Sequence, residues 1–493
     1  MTVTDQLPSD AGEGEPAALS RRGLLLGTAA ATAAVLASAT TVLVTPDVAG
    51  ATAVTGLVSG AGHGLANRNA LQAALTAAPE GATLQLPAGR YEIDVEDAPV
   101  WIPRSVSIVG ALGATPTVFD IVPDDHVTHS FLQVVDGSDG QPDWVLYGNF
   151  WFSDFTVNGP VTSYATPYDP VTQPTEPSML AFAIGWIVRT SAGELSVERV
   201  NVTGAFHQAV ARSGMGITRV IDCDLEAYVS SIAMWDDTNT AGSSGAIIHG
   251  GVHSTGSVLG STTKYSSVGI YIHPCCALVM SDVTYRDFQR FGVYSNGEPD
   301  EPPLAWIMDN VTIDGCGATV QTATKTNAVI TAMKVLNGVP GPGGVLKGNA
   351  TFINCNFTGL LSFTHGSNDP DSLVHFIGCW IDPDNYFIAQ GNGFGSGTDG
   401  TLRFTGCRAV MHGNSYLSIG NTQWKGTVEL LDCEIWDCGS TVYTHLQLTG
   451  GSLLIDNTTI HSNVSDPIYV DPSIPVTGAA TIGPAVTCPT PPA

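Results

Sequence analysis

The chain has 493 residues, with 18 Lys and Arg against 45 Asp and Glu, a formal net charge of −27 and only 13% charged residues. An apolar fraction of 43% and a mean hydropathy of +0.16 exclude a disordered chain, which combines low hydrophobicity with dense charge. The scarcity of Glu, Lys and Arg argues against a coiled coil, and the acidic balance against a nucleic-acid partner, whose phosphates need clustered Lys and Arg.

Residues 1–19 are polar and acidic. Ser20-Arg21-Arg22-Gly23-Leu24-Leu25-Leu26 then opens an apolar run that ends at Val44, and Ala49-Gly50-Ala51 has the small-x-small form of a signal-peptidase site. The twin arginine before a mildly hydrophobic run resembles a bacterial Tat export signal. A single membrane anchor is the competing reading, since Leu24–Val44 is 21 residues long. Its many alanines and threonines make it a weak span. Residues 1–51 are therefore expected to be a twin-arginine-type signal peptide, and the protein to be secreted, free of the membrane once the signal is removed.

A cap, a row of coils and a tail follow, with expected bounds 52–104, 105–470 and 471–493. The stretch 67–78 predicts a helix, with Asn67 or Asn69 as N-cap, and Pro79-Glu80-Gly81 ends it. Residues 82–91 predict a strand, a turn and another strand.

Beyond the cap a short motif recurs. It consists of two apolar residues, then Asp, Asn or Gly, then a small residue, a polar residue and another apolar one. Val220-Ile221-Asp222-Cys223-Asp224-Leu225, Phe352-Ile353-Asn354-Cys355-Asn356-Phe357 and Leu430-Leu431-Asp432-Cys433-Glu434-Ile435 are clear copies. The small residue falls at 200, 223, 283, 311, 355, 379, 407, 433 and 458. Many steps are 23–28 residues, and the gaps 223–283 and 311–355 are about two steps each. A coil of that length cannot bury its own apolar face, so copies must stack, each strand pairing in parallel with its copy above and below. The fold expected is all-β: a single parallel β-helix solenoid with a short N-terminal capping helix. Cys223, Cys355, Cys379, Cys407 and Cys433 share one repeat position. They have no CxxC pairing of a metal site and read as a column of small buried residues. The pairing of Cys275, Cys276, Cys316, Cys438 and Cys488 stays open.

The order of "ALQAAL" (Ala70–Leu75), Gly81, "LQLPAGRY" (Leu84–Tyr91) and "SVSIVG" (Ser105–Gly110) resembles the start of pectin-lyase-like β-helix proteins. That resemblance implies a right-handed solenoid. It implies no particular reaction, because one fold hosts many functions.

Outward residues of one strand column stack at about 4.8 Å per coil, a spacing suited to extended saccharides. The stretch 230–301 gathers the best outward set. Strand alternation turns Ile232, Met234, Ile270 and Ile272 inward, and Trp235, Tyr271, His273, Tyr294 and Asn296 outward. Asp236, Asp237 and Glu298 are the candidate catalytic carboxyl groups. If the strands stack in register, Asp237 and Glu298 lie about 9–10 Å apart, at the upper edge of inverting-glycosidase geometry. Trp235, Tyr271, His273, Tyr294, Asn296 and Arg290 are the candidate substrate-binding residues. The competing reading makes Asp236 and Asp237 ordinary turn residues. No cofactor is required. Calcium could sit at Asp369, Asp371, Asp382 and Asp384, although their spacing fits no regular calcium loop.

The expected function is a secreted carbohydrate-active enzyme that cleaves or transfers glycosidic bonds of a poly- or oligosaccharide by carboxylate acid/base catalysis. It would be a glycoside hydrolase or an intramolecular transglycosylase such as a fructan fructotransferase. A polysaccharide lyase is the first alternative, disfavoured by the charge of −24 left after signal removal. A non-catalytic glycan-binding or adhesion solenoid is the second. The chain is expected to be a monomer or a homotrimer.

Overall fold

The computed structural model describes residues 50–122, 130–134, 147–159, 180–187, 192–204, 206–213, 216–227, 229–235, 244–255, 267–272, 276–288, 291–295, 304–317, 320–321, 326–338, 344–346, 348–359, 363–365, 371–383, 386–389, 400–412, 416–419, 425–438, 446–448, 451–462, 468–484 and 487–490. All lie in the compact unit Thr45–Ala493.

The strands form a parallel β-solenoid with three faces. The first face is a 16-stranded sheet running from Thr52–Ala53 to Val476–Gly478. The second has 15 strands, from Gly89–Asp94 to Thr481–Gly483. The third comprises an 8-stranded sheet from Val100–Ile102 to Val320–Gln321 and a 6-stranded one from Gly344–Leu346 to Ile468–Val470. One coil runs through Gly216–Ile221 on the first face, Asp224–Glu226 on the second and Ser230–Trp235 on the third. The next coil then starts at Ser244–His249.

The repeated motif is the corner between the first and second faces. Its third residue takes the left-handed conformation, with φ of 51° at Asp222, 52° at Asn354, 61° at Gly378 and 55° at Asp432. Asn, Asp and Gly tolerate that region best, which is why they recur. The two double-length gaps hold ordinary corners, centred on Gly251 and Met333. At both, the corner carbonyl accepts the amide that follows the corner of the next coil: Thr284 N donates to Gly251 O at 3.1 Å and Asn356 N to Met333 O at 2.8 Å.

The small corner residue points inward. Cys355, Cys379, Cys407 and Cys433 are all buried, and each thiol donates to a carbonyl of the preceding coil, for example Cys379 Sγ to Phe352 O at 3.4 Å. Thr458 replaces the thiol with a hydroxyl on Leu430 O at 3.1 Å. The column therefore selects for a small donor as well as for small volume. Next to it runs an inward row of the first face, in which Phe352, Phe376 and Phe404 stack with centroids 4.8 and 5.0 Å apart. In-register parallel pairing brings identical side chains to coil spacing, and flat rings fill that spacing well.

The capping helix spans Gly64–Ala77, and its Leu71 and Leu75 cover the first coil. Asn67 is not the N-cap expected from sequence, since the helix begins three residues earlier. Asn67 is fully buried. Its amide donates to Val58 O and Glu92 O, both at 2.9 Å, and accepts from Val58 N at 2.7 Å. It ties the helix to the preceding extended chain and to the first strand of the second face. Among the described residues no helix is long and apolar enough to cross a membrane. Cys438 and Cys488 form a disulfide, while Cys316 is free and buried.

Candidate functional site

The corner between the first and second faces takes two residues in most coils, as at Asp222-Cys223. The third face is bordered by longer chain intervals, between Ser254 and Val268 on one side and between Trp235 and Ser244 on the other. Connections of variable length on a rigid scaffold are where binding and catalysis concentrate. On this face the strands Phe206–Ser213, Ser230–Trp235, Val268–Ile272 and Phe291–Ser295 pair in that order.

Their register is as the sequence suggested. Ile232 pairs Ile270, which pairs Val293, and Met234 pairs Ile272, which pairs Ser295. Ile232, Met234, Ile270, Ile272 and Val293 all lie in the main core. The outer side carries Ala211, Ala233, Tyr271 and Tyr294 in one row. Tyr271 and Tyr294 are half-buried, with ring centroids 5.6 Å apart and planes 31° from parallel. Both rest on Val268, in a cluster separate from the main core. They form an aromatic shelf one coil deep.

The strict alternation assumed from sequence breaks once in each strand. Val268 and Tyr271 both face out, so Gly269 and Ile270 both face in. A Cβ on Gly269 would lie 2.3 Å from the Tyr285 ring, which fixes that direction. The bend creates a second outer row, Gln208, Ser230 and Val268. Gln208 and Ser230 are 4% and 0% exposed, and neither Gln208 Oε1 nor Ser230 Oγ has a hydrogen-bond partner among the described residues. Sequence reasoning missed both, because burial on an outer face leaves no trace in local pattern.

Of the sequence-predicted site, Tyr271 and Tyr294 are brought together. Trp235 ends its strand one residue beyond Met234, paired with Ser213. Asp236, Asp237, His273, Arg290, Asn296 and Glu298 lie outside the described residues.

Behind the shelf the interior is polar. Ser231 donates to Gly269 O and lies 3.1 Å from His253 Nδ1. The His253 ring meets Tyr285 edge-on at 5.1 Å. Both are fully buried, and burial pushes the His253 pKa down to about 3. Arg212 also points inward, in the row of Met234 and Ile272, and donates to Ile217 O at 2.8 Å and Gly193 O at 2.9 Å.

Three described carboxyl groups are held above the usual range, chiefly by burial: Glu198, Glu226 and Asp287. Glu198 is 1% exposed, beside the Arg199–Asp154 ion pair of 2.6 Å. Glu198 and Glu226 lie on strands of the first and second faces, and Asp287 follows the second-face strand Thr284–Arg286. Among the described residues no three His, Cys, Asp or Glu gather as a metal site. Of the calcium candidates, Asp382 meets His412 at 3.1 Å and Asp371 is exposed. Asp369 and Asp384 lie outside the described residues.

No protein-family model matches the sequence, and no curated protein matches it. Among solved structures, it is similar to tailspike protein 3 of bacteriophage CBA120, with 14% identity over 90% of this chain and 62% of that one and a TM-score of 0.44. It is also similar to the A-module of mannuronan C-5 epimerase AlgE4 from Azotobacter vinelandii, with 13% identity over 88% and 98% of the two chains and a TM-score of 0.37. A variant of DFA-IIIase from Arthrobacter chlorophenolicus A6, in complex with DFA-III, gives 12% identity over 88% and 99% and a TM-score of 0.36. The chain thus spans 62% of the tailspike's length. The strand pairing above, rather than these likenesses, establishes the parallel β-solenoid.

Proposed function

We propose that the protein is a secreted carbohydrate-active enzyme that binds a saccharide chain across the third face and cleaves or transfers its glycosidic bonds. One observation carries this reading: the Tyr271–Tyr294 shelf, with ring centroids 5.6 Å apart, on the face bordered by the long intervals. Aromatic faces stacked along a solenoid suit the apolar faces of successive sugar rings. Trp235, His273, Asn296 and Arg290 extend the shelf as further binding residues in this proposal. Asp236, Asp237 and Glu298 supply the protonated and ionised carboxyl groups that glycosidic chemistry needs. The proposed chemistry uses side chains only, and export is by the twin-arginine signal.

The test is turnover on a panel of neutral and anionic polysaccharides, read by new reducing ends and by absorbance of unsaturated products. Asp236→Asn, Asp237→Asn and Glu298→Gln are made in parallel. Loss of about 10²–10⁴ in kcat for at least one, with folding retained, is expected for a general acid or base. Unsaturated products would replace this reading with a lyase. Binding without turnover would leave a glycan-binding solenoid.

A further inference from the structure

The third face carries a second kind of group beside its rings. Gln208 and Ser230 are direct neighbours on adjacent strands, both more than nine-tenths buried. They lie on the outer side, because Ser230 pairs Val268, which packs with the outer tyrosines. Gln208 Oε1 and Ser230 Oγ both lack a partner among the described residues. A buried polar atom without a partner destabilises the fold, and two apolar residues would fill the same space at no such cost. Stability therefore gives no reason for this pair.

The row turns apolar at Val268, and the next row carries Tyr271 and Tyr294. The face is thus divided into a polar half, with one acceptor and one hydroxyl, and an aromatic half. A sugar ring has the same two aspects, a hydroxyl edge and a C–H face. Among the described residues, the only Lys or Arg in the four strands is Arg212, which points inward. A carboxylate placed against Gln208 Oε1 would meet an acceptor, with no outward cation among the described residues of these strands to offset it.

We infer that Gln208 and Ser230 are specificity-determining residues that read one hydroxyl group of a neutral saccharide. The inference rests on the function proposed above and narrows its substrate class. The sugar hydroxyl donates to Gln208 Oε1 and accepts from the Ser230 hydroxyl, so both orphaned atoms are satisfied by one group. A site built to bond a hydroxyl discriminates strongly against ligands that lack it.

Gln208→Met and Ser230→Ala in the full protein test this, with Tm measured beside KM and kcat on inulin, pullulan, xylan and polygalacturonate. Expected are a Tm that is unchanged or raised by about 1–2 °C and a KM raised about tenfold on a neutral substrate, the loss of one good hydrogen bond. A Tm lowered by several degrees in both variants would show a structural role and overturn the inference. So would an unchanged KM, or a wild type that prefers polygalacturonate. If the wild type turns over a neutral polymer and the variants keep its KM, only this assignment falls. If it neither binds nor turns over any of the four, the proposed function falls and takes this assignment with it.

Discussion

At the corner between the first and second faces, one residue per coil must adopt a positive φ, and the side chain decides what that costs. Ala332 stands there at φ 51° and is exposed, between coils that place Asn310 and Asn354 at the same corner. A Cβ in the left-handed region costs about 1–2 kcal/mol, less for Asn, whose amide bonds locally. Ala332→Asn should therefore raise stability by about 1 kcal/mol, read as a higher urea midpoint at unchanged slope. A lower midpoint would reject the account. The corner was legible in the sequence because a left-handed φ is a local demand with a narrow choice of residues. Asn67 was misread for the converse reason: it looks like a cap locally, and only contact with Val58 and Glu92 reveals its use. His253 is equally non-local. Its pKa falls to about 3 in the fold against about 6.5 unfolded. Below pH 6.5 the unfolded chain takes up a proton that the native state refuses, so stability falls as pH drops from about 6.5 toward 3. His375, lowered to about 4 by burial and then by Arg403, adds to the same trend. Each contributes a slope of at most about 1.4 kcal/mol per pH unit. His253→Phe should flatten the stability–pH profile in that window, measured by denaturant titration at pH 7 and 5; an unchanged profile would sink the assignment.

At the level of the strand, period-2 alternation shows which side a ring takes, and that is why Tyr271 and Tyr294 could be named beforehand. It does not show where alternation breaks, and the Gly269-Ile270 bend is what creates the Gln208–Ser230 row. A second element was unreadable for a related reason. On the outer side of the second face, Trp380, Val410 and Trp436 are 6%, 0% and 8% exposed, although outward residues of a solenoid usually meet water. Cys488, joined to Cys438, packs on this cluster, so the tail covers it. Cysteine spacing alone could not give the pairing, since the partners are 50 residues apart. The six described free cysteines are buried, which leaves the latch as the described thiol pair open to exchange. Reduction with dithiothreitol, or Cys488→Ser, should raise acrylamide quenching of tryptophan fluorescence and lower stability by about 2–4 kcal/mol. Unchanged quenching, with two new thiols confirmed by titration, would mean that the tail holds its place without the bond.

Across the whole molecule, stacking makes stability a sum of coils and of interfaces between neighbours. The low charge follows from this architecture, because coils stacked in register would bring like charges to coil spacing on the outer faces. The ends are then the weak points, and the first coil depends on the capping helix, whose Leu71 and Leu75 are 1% and 0% exposed. Leu75→Asp places a carboxylate where only apolar side chains meet it, which a buried site tolerates poorly. In a globular core that change would lower stability everywhere at once. Here each coil touches mainly its neighbours, so the loss should start at the open end and fade along the axis. Hydrogen exchange of Leu75→Asp is expected to lose protection first in the strands between Ala82 and Val122. The Phe352–Phe376–Phe404 stack, many coils away, should keep its wild-type protection. Uniform loss along all three faces would show that the solenoid unfolds as one unit, and that the helix stabilises the whole stack rather than its first turns.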